Sequence, residues 1–513
     1  MAETTNSSLA REPGLTERLA LVFLLVFAAA LPHSIAAAQI AAGLAAAFWL
    51  AGAVRRRQWT PLAPHPSASG ARGRSTGPTG RLGAGLGGLG LPIALFAGVT
   101  VLSSVFSLEP AISLDKLRSA SLILIVLIVA GTLRSLRHVT LIIVVLLVSA
   151  AATAGYTTWG VVAGRGVEVL ALHPKGPLAL AGVRERDVIV ICGQHLTDSP
   201  KELSAALSVH IAPIPLRCSA YLTGATRYEF ELPADSLPTA LDGSQFRTAR
   251  TIRARGTFSH FTTYAEVLMQ LGALMLGLWL ACPQRWTSRS GVALISLGVL
   301  VAVSLAATFT RASWASLLAA GLAMLWLRVN WRARIASGLF TVFFLLVMNQ
   351  ASIAWRGAGF YNPEDLSMQY RRLMWTDSLG IIARHPLLGI GMDSILERYQ
   401  ELGIRAYDSM GLHSHFHSTP IQFAVERGLL GLAAWVFFMF VYLRLLLRLI
   451  HRTREDSWWP HGLSLGILGA SAGFLASGFL HYNFGDSEVV MLFWLLMGIA
   501  VALARLTREQ ATC

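Results

Sequence analysis

Most of the groups able to do chemistry lie between residues 370 and 431. Tyr370-Arg371-Arg372-Leu373-Met374-Trp375 is followed by His385-Pro386-Leu387-Leu388-Gly389-Ile390-Gly391. Then come His413-Ser414-His415-Phe416-His417-Ser418 and Glu426-Arg427-Gly428-Leu429-Leu430-Gly431. A histidine titrates near neutrality and can take the proton of a hydroxyl under attack. Paired arginines can grip a phosphate bidentately, or form no more than a solvated pair. His413, His415 and His417 alternate, so an extended segment would turn three imidazoles to one face, a ligand set for zinc or copper; a helix would not. Glu426 can orient His417 or simply open a helix, where a carboxylate meets the positive end. Trp375 suits an interfacial belt as well as a sugar platform. Hydrolytic signatures fail: there is no His-Glu-x-x-His, and Gly469-Ala470-Ser471-Ala472-Gly473 lies inside an apolar run. There Gly466, Gly469, Gly473 and Ser477 recur at the spacing of a helix-packing face rather than of a strand-turn-helix elbow.

The elements that position these groups belong to a membrane protein. Of 513 residues 54% are apolar and only 14% charged, with a mean hydropathy of +0.56. A water-facing surface needs about a quarter charged residues. Twelve apolar runs, 16–31, 33–53, 91–108, 117–133, 138–162, 261–282, 290–309, 312–329, 334–351, 421–449, 462–482 and 486–505, are read as helices for a bilayer core of about 30 Å. The first two are parted by a turn at Leu31-Pro32-His33-Ser34. A net charge of +14 follows topology rather than nucleic acid. With the N-terminus inside, Arg55–Arg57, Arg134, Arg137, Arg285, Arg289, Arg328, Arg332, Arg334, Arg444, Arg448, Arg452 and Arg454 all fall on cytoplasmic loops, and both termini are cytoplasmic. Lys116, Arg118 and Arg311 lie near the outer face against that trend, which makes them candidates for function. Lys116 and Arg118 either extend a basic funnel for a diphosphate or snorkel to the interface.

The expected fold is therefore an all-α polytopic membrane protein carrying one small inserted domain. Residues 1–57 hold the first two helices, and 58–90, rich in Pro, Gly, Ser and Arg, form a cytoplasmic linker able to meet anionic lipid headgroups. Residues 91–162 hold helices three to five, 259–351 six to nine, and 421–513 ten to twelve with the tail. Two long polar segments, 163–258 and 352–420, are expected outside the membrane. In the first, Val167–Leu172 and Val188–Ile191 alternate like strands, Pro200–Leu207 reads as a helix and Tyr228–Leu232 as a late strand. Gly176–Asp187, with Gly182 and Asp187 followed by Gly193-Gln194, resembles the PDZ domain of the bacterial type, an α+β fold. That resemblance implies a peptide ligand added to a sheet edge. Cys192 and Cys218 both fall here, where a disulfide is permitted.

The remaining motifs together resemble the O-antigen ligase family, which includes O-antigen polymerases and protein O-oligosaccharyltransferases. Arg371, Trp375 and Pro386–Gly391 meet the R-x-x-x-W and P-L-L-G-x-G pattern. His417-Ser418, Gly428 and Gly431 meet the ligase pattern. Thr310-Arg311-Ala312-Ser313 and Arg255-Gly256-Thr257-Phe258 also fit. The resemblance implies transfer of a glycan from an undecaprenyl-diphosphate donor to lipid A-core or another glycan, at the periplasmic face of the bacterial inner membrane. It assigns the general base to His417 and the arginine roles to Arg311 and Arg371, with Arg372 as adjacent alternative. Trp375, Glu426, Lys116 and Arg118 are expected to contact substrate, and no metal or other cofactor is implied. A non-enzymatic transporter or scaffold, recruiting peptides through the PDZ-like insert, is the rival of another class.

Overall fold

The computed structural model describes residues 14–55, 86, 88–193, 195–210, 214–222, 226–249, 253–327, 330–356, 366–405 and 415–511. Most of the expected linker, Arg328 and His413 lie outside the described residues. The chain divides into two compact units: residues 1–151, 265–299 and 311–513 form the first, and residues 152–264 with 300–310 the second.

Helices occupy each of the twelve apolar stretches. They are α1 (Leu15–Ala30), α2 (Ile35–Arg55), α3 (Gly90–Val105), α4 (Pro110–Ala120), α5 (Ile125–Thr132), α6 (Leu136–Ala163), α9 (Phe261–Ala281), α10 (Arg289–Ala307), α11 (Arg311–Trp326), α12 (Trp331–Arg356), α15 (Thr419–Arg452), α16 (Trp458–Ser477) and α17 (Ser487–Ala511). Seven of them, α2, α6, α9, α10, α12, α15 and α17, contain a stretch long and apolar enough to cross a bilayer; α3 is apolar but shorter. The fourth stretch, expected as one helix, is two. Ser121 Oγ donates to the Arg118 carbonyl at 2.6 Å, and the chain tightens into a 3₁₀ turn over Ser121–Leu124 between α4 and α5. A serine hydroxyl that takes a local carbonyl competes with the helical pattern in this way.

The glycine row of α16 is a packing face. A β-carbon at Gly466 would meet the Leu274 backbone of α9, one at Gly469 the Met324 side chain of α11, and one at Gly473 the Met269 sulfur and the Ser316 carbonyl. Both α9 and α11 therefore run antiparallel to α16. The amino ends of α9 and α11 lie toward the Ser477 end of α16, and Arg311 begins α11.

In the second unit, β1 (Val167–Ala171), α7 (Pro177–Leu180), β2 (Val188–Cys192), β3 (His195–Leu196), α8 (Pro200–Val209), β4 (Leu216–Leu222), β5 (Thr226–Leu232) and β6 (Gln245–Thr248) build an antiparallel sheet in the order β5-β4-β2-β1-β6, with β3 on β2. The strands expected at 167–172, 188–191 and 228–232 and the helix at 200–207 are all present. Inward residues Val167, Val169, Ile189, Phe230 and Leu232 meet Leu178, Leu203 and Leu207 from the two helices. Ser199 Oγ accepts from Glu202 N, and Glu202 accepts in return from Asp198 N, a reciprocal cap that starts α8. Asp187 is fully buried and accepts from Arg184 N (2.9 Å) and Tyr228 Oη (2.6 Å). Burial and then that carboxylate hold the Tyr228 phenol well above the tyrosine range. Cys192 and Cys218 stand opposite each other on β2 and β4 and form a disulfide.

Candidate functional site

The site is built on a break in α15. Gly428 takes φ 68° and ψ −176° inside that helix, a region open essentially to glycine alone. The break leaves donors on its carboxyl side and carbonyls on its amino side, and the segment Pro386–Gly391 satisfies both. Leu429 N donates to the Pro386 carbonyl at 2.8 Å, Ile390 N to Val425 at 3.0 Å and Gly391 N to Glu426 at 2.9 Å. From α3, Ser103 Oγ adds a 2.7 Å bond to the Glu426 carbonyl. Such closeness requires glycine: a β-carbon at Gly389 would strike the Val425 and Glu426 backbone, and one at Gly428 the Leu387 carbonyl. Two motifs some forty residues apart in sequence are thus the two halves of one backbone joint. Beyond it, Leu429–Arg452 spans roughly 36 Å at 1.5 Å per residue, enough to cross a bilayer core.

The joint buries an ion pair. Arg427 Nη1 lies 2.8 Å from Glu426 Oε2, and both side chains are almost wholly enclosed (6% and 4% exposed). Glu426 Oε1 accepts from Gln422 Nε2 (2.8 Å) and from Asp393 N (3.2 Å). The Arg427 guanidinium stacks over Phe423 at 4.5 Å. Gln422 in turn accepts from Phe416 N at 2.8 Å. Glu426 therefore bears on His417 through Gln422 and the Phe416 backbone.

The histidine segment is held by its middle residue. Phe416 is fully buried, and its carbonyl accepts from Trp375 Nε1 of α13 (Leu366–Arg384) at 2.9 Å. Trp375 is thus a clamp on the backbone beside His417. His417 sits at φ 52°, left-handed backbone that histidine tolerates better than most residues but at some strain. Its ring lies 4.5 Å from that of His415 and 5.6 Å, edge to face, from that of Tyr370, centroid to centroid. Burial pushes the Tyr370 phenol up to about 12. Of the two adjacent arginines, Arg371 has its Nε buried, whereas Arg372 is exposed.

Behind His415 stands a group that sequence reasoning missed. The His481 ring lies 6.3 Å from that of His415 at 89°, its Nδ1 2.8 Å from Glu266 Oε1 and its Nε2 3.9 Å from Asp486 Oδ2. Glu266, on α9, is fully buried and also accepts from Ser477 Oγ at 2.7 Å. Burial lowers the His481 affinity for a proton, but Glu266, by charge and hydrogen bond, and then Asp486 outweigh it and raise the pKa above the ordinary value, with Arg371 opposing them. Tyr482, 6.0 Å from His415 between centroids, is held above the tyrosine range by burial and then by Glu426. Thr419 ties the start of α15 to the same loop: its N donates to the Gly478 carbonyl (2.7 Å) and its Oγ1 to Asn483 (2.9 Å). The signal for Glu266 was present, since it is a carboxylate within the run 261–282. Its pairing across more than two hundred residues was not readable.

The other candidates lie as follows. Lys116 pairs with Asp393 at 3.0 Å, on the loop that leads from Gly391 to α14 (Ile395–Leu402). Arg118 pairs with Asp115 at 3.2 Å and is largely exposed. His413 lies outside the described residues, and among the described residues no group of three His, Cys, Asp or Glu side chains is arranged to hold a metal ion.

Residues 296–436 match the family model of the O-antigen ligase. That stretch contains Arg311, the Arg371–Trp375 and Pro386–Gly391 motifs, His417 and the Gly428 break, but not Glu266 or His481. The match covers part of the chain; with the seven long apolar helices it points to a multi-pass membrane protein similar to the O-antigen ligase. Among curated proteins, none matches the chain.

Proposed function

We propose that this protein transfers a glycan from undecaprenyl diphosphate to an acceptor hydroxyl at the periplasmic face of a bacterial inner membrane. His417 takes the hydroxyl proton as the oxygen attacks the anomeric carbon. The bond from that carbon to the diphosphate oxygen breaks with inversion, and undecaprenyl diphosphate departs with its charge. Arg371 and Arg311 hold the diphosphate and stabilise the developing charge, with Arg372, next to Arg371 in sequence and exposed, as the alternative. Fixed donors of this kind act most strongly in a site from which water is excluded. As the resemblance implies, the residues perform this transfer without a metal.

The observation that carries the reading is the joint at Gly428. The residues of both family motifs meet there and hold His417, in left-handed backbone, against Tyr370 and His415. Lys116, paired with Asp393 beside the joint, suits the rim of the donor channel. Peptide capture by the PDZ-like insert would bring an acceptor or a regulator, and lipid headgroups would meet the basic loops on the cytoplasmic side.

Deletion of the gene tests the reading and selects the branch. Loss of glycan from lipid A-core identifies a ligase, single repeat units on lipid A-core a polymerase, and unmodified periplasmic proteins an oligosaccharyltransferase. A deletion strain with lipopolysaccharide, capsule and glycoproteins all unaltered would refute glycan transfer and favour a transporter or scaffold.

A further inference from the structure

Glu266 and His481 form a buried ionic pair that the proposed reaction does not use. A carboxylate with no exposed surface, inside a helix apolar enough to span a membrane, is expensive to keep and is retained where it has a task. Its partner is not a simple counter-ion either. The His481 ring is one of a file of three imidazoles, His417, His415 and His481, at successive centroid separations of 4.5 and 6.3 Å. We propose that His481, clamped between Glu266 and Asp486, is a positioning residue that orients His415 against His417 and supplies a fixed positive charge behind the pair. The inference rests on the reading of His417 as general base.

Each charged or titratable group that bears on His481 fits the role. Glu266 comes from α9, Asp486 from the turn before α17, Arg371 from α13, and His415 from the segment before α15. The two carboxylates face the two ring nitrogens, an arrangement suited to the doubly protonated ring. The ring stands at 89° to that of His415, with 6.3 Å between centroids. A base must be neutral to accept a proton. A positive charge held nearby disfavours protonation of His415 and His417, so the pair stays neutral and competent at lower pH. The charge of His481 offsets Glu266, 2.8 Å from its Nδ1, whose carboxylate would otherwise favour protonation of the same pair. Asp486, a third exposed, connects the pair to solvent.

The test is the pH dependence of transfer by the full-length protein in detergent, with a polyprenyl-diphosphate glycan as donor. His481→Asn, whose amide nitrogen can take the place of Nδ1 beside Glu266, and His481→Gln both remove the positive charge while leaving Glu266. In each, the acid limb of kcat/KM moves to higher pH, by about one unit, while the plateau falls less than the rate at low pH. A third variant, His481→Gln with Glu266→Gln, removes the unpaired carboxylate and brings the limb back toward that of the wild type. An acid limb that stays in place while the rate falls equally at every pH would leave His481 a purely structural residue and overturn the proposal. His417→Ala separates this from the underlying reading: full transfer by that variant refutes the base assignment, whereas its inactivity beside an unmoved limb in both His481 variants refutes only the role given to His481.

Discussion

Replacing Gly428 with alanine should uncouple the joint. Alanine cannot adopt φ 68° and ψ −176° without strain of about 1–3 kcal/mol. Its β-carbon would also run into the Leu387 carbonyl, so the strap formed by Pro386–Gly391 must retreat. With the retreat go the bonds from Leu429 to Pro386 and from Ile390 to Val425, each contributing about 0.5–1.5 kcal/mol. The sum is a destabilisation of about 2–6 kcal/mol, concentrated where His417 is held. The alternative open to the variant is to close the break into continuous helix, which rotates Thr419–Arg427 relative to the rest of α15 and withdraws Gln422 from Phe416. Either outcome lowers transfer by at least about a hundredfold, because small displacements of a positioned base are costly. Thermal unfolding in detergent and a donor-consumption assay on the same sample read both effects. A Gly428→Ala protein with unchanged melting and unchanged transfer would refute the argument that the break is required.

Further outcomes follow from the same geometry. Arg371→Ala should lower transfer by about two orders of magnitude or more, whereas Arg372→Ala, at an exposed position, should change it less than about threefold; equal losses would contradict the assignment of Arg371, whose Nε is buried. Tyr370→Phe should leave the pH profile unaltered below pH 10, because the phenol titrates only at about 12; a limb lost in that variant would make Tyr370 the titrating group. Asp377 is buried and accepts from Arg405 N at 2.9 Å and from its guanidinium, so Asp377→Ala should lower stability by about 1–3 kcal/mol, measured by melting. The raised pKa of His481 stabilises the fold fully below the ordinary value of about 6.5, and that contribution is lost as pH rises through the raised value. Melting of the wild type should therefore decline over that window while His481→Gln stays flatter; identical slopes would contradict a charged His481 in the fold.

How far these features were legible in the sequence depended on the range of the signal. Apolar runs mark helices locally, and α6, α10 and α17 fall where their runs predict. The β1 and β2 alternation and the Asp187 preceding a strand also act within a few residues. The break at Gly428 was not legible as a break, because the run 421–449 reads as unbroken apolar helix and only the strap from Pro386 to Gly391 makes a kink affordable. The 3₁₀ turn at Ser121 escaped for a similar reason, since hydropathy does not register a hydroxyl that bonds to its own helix. Trp375 was legible as a motif residue, yet its indole bond to Phe416 shows a structural duty that composition cannot supply. Glu266 and His481 required knowledge of how α9 and α16 pack, and that packing rests on glycines whose spacing was visible but whose partners were not.

The central claim is that His417 accepts the proton of an acceptor hydroxyl as a glycan leaves undecaprenyl diphosphate. The most direct measurement incubates purified wild-type and His417→Ala proteins with a polyprenyl-diphosphate glycan and an acceptor, then follows by mass spectrometry both glycosylated acceptor and released polyprenyl diphosphate. The two products are expected in equal amounts from the wild type, and neither from an equally folded His417→Ala protein. Transfer at an undiminished rate by His417→Ala would contradict it.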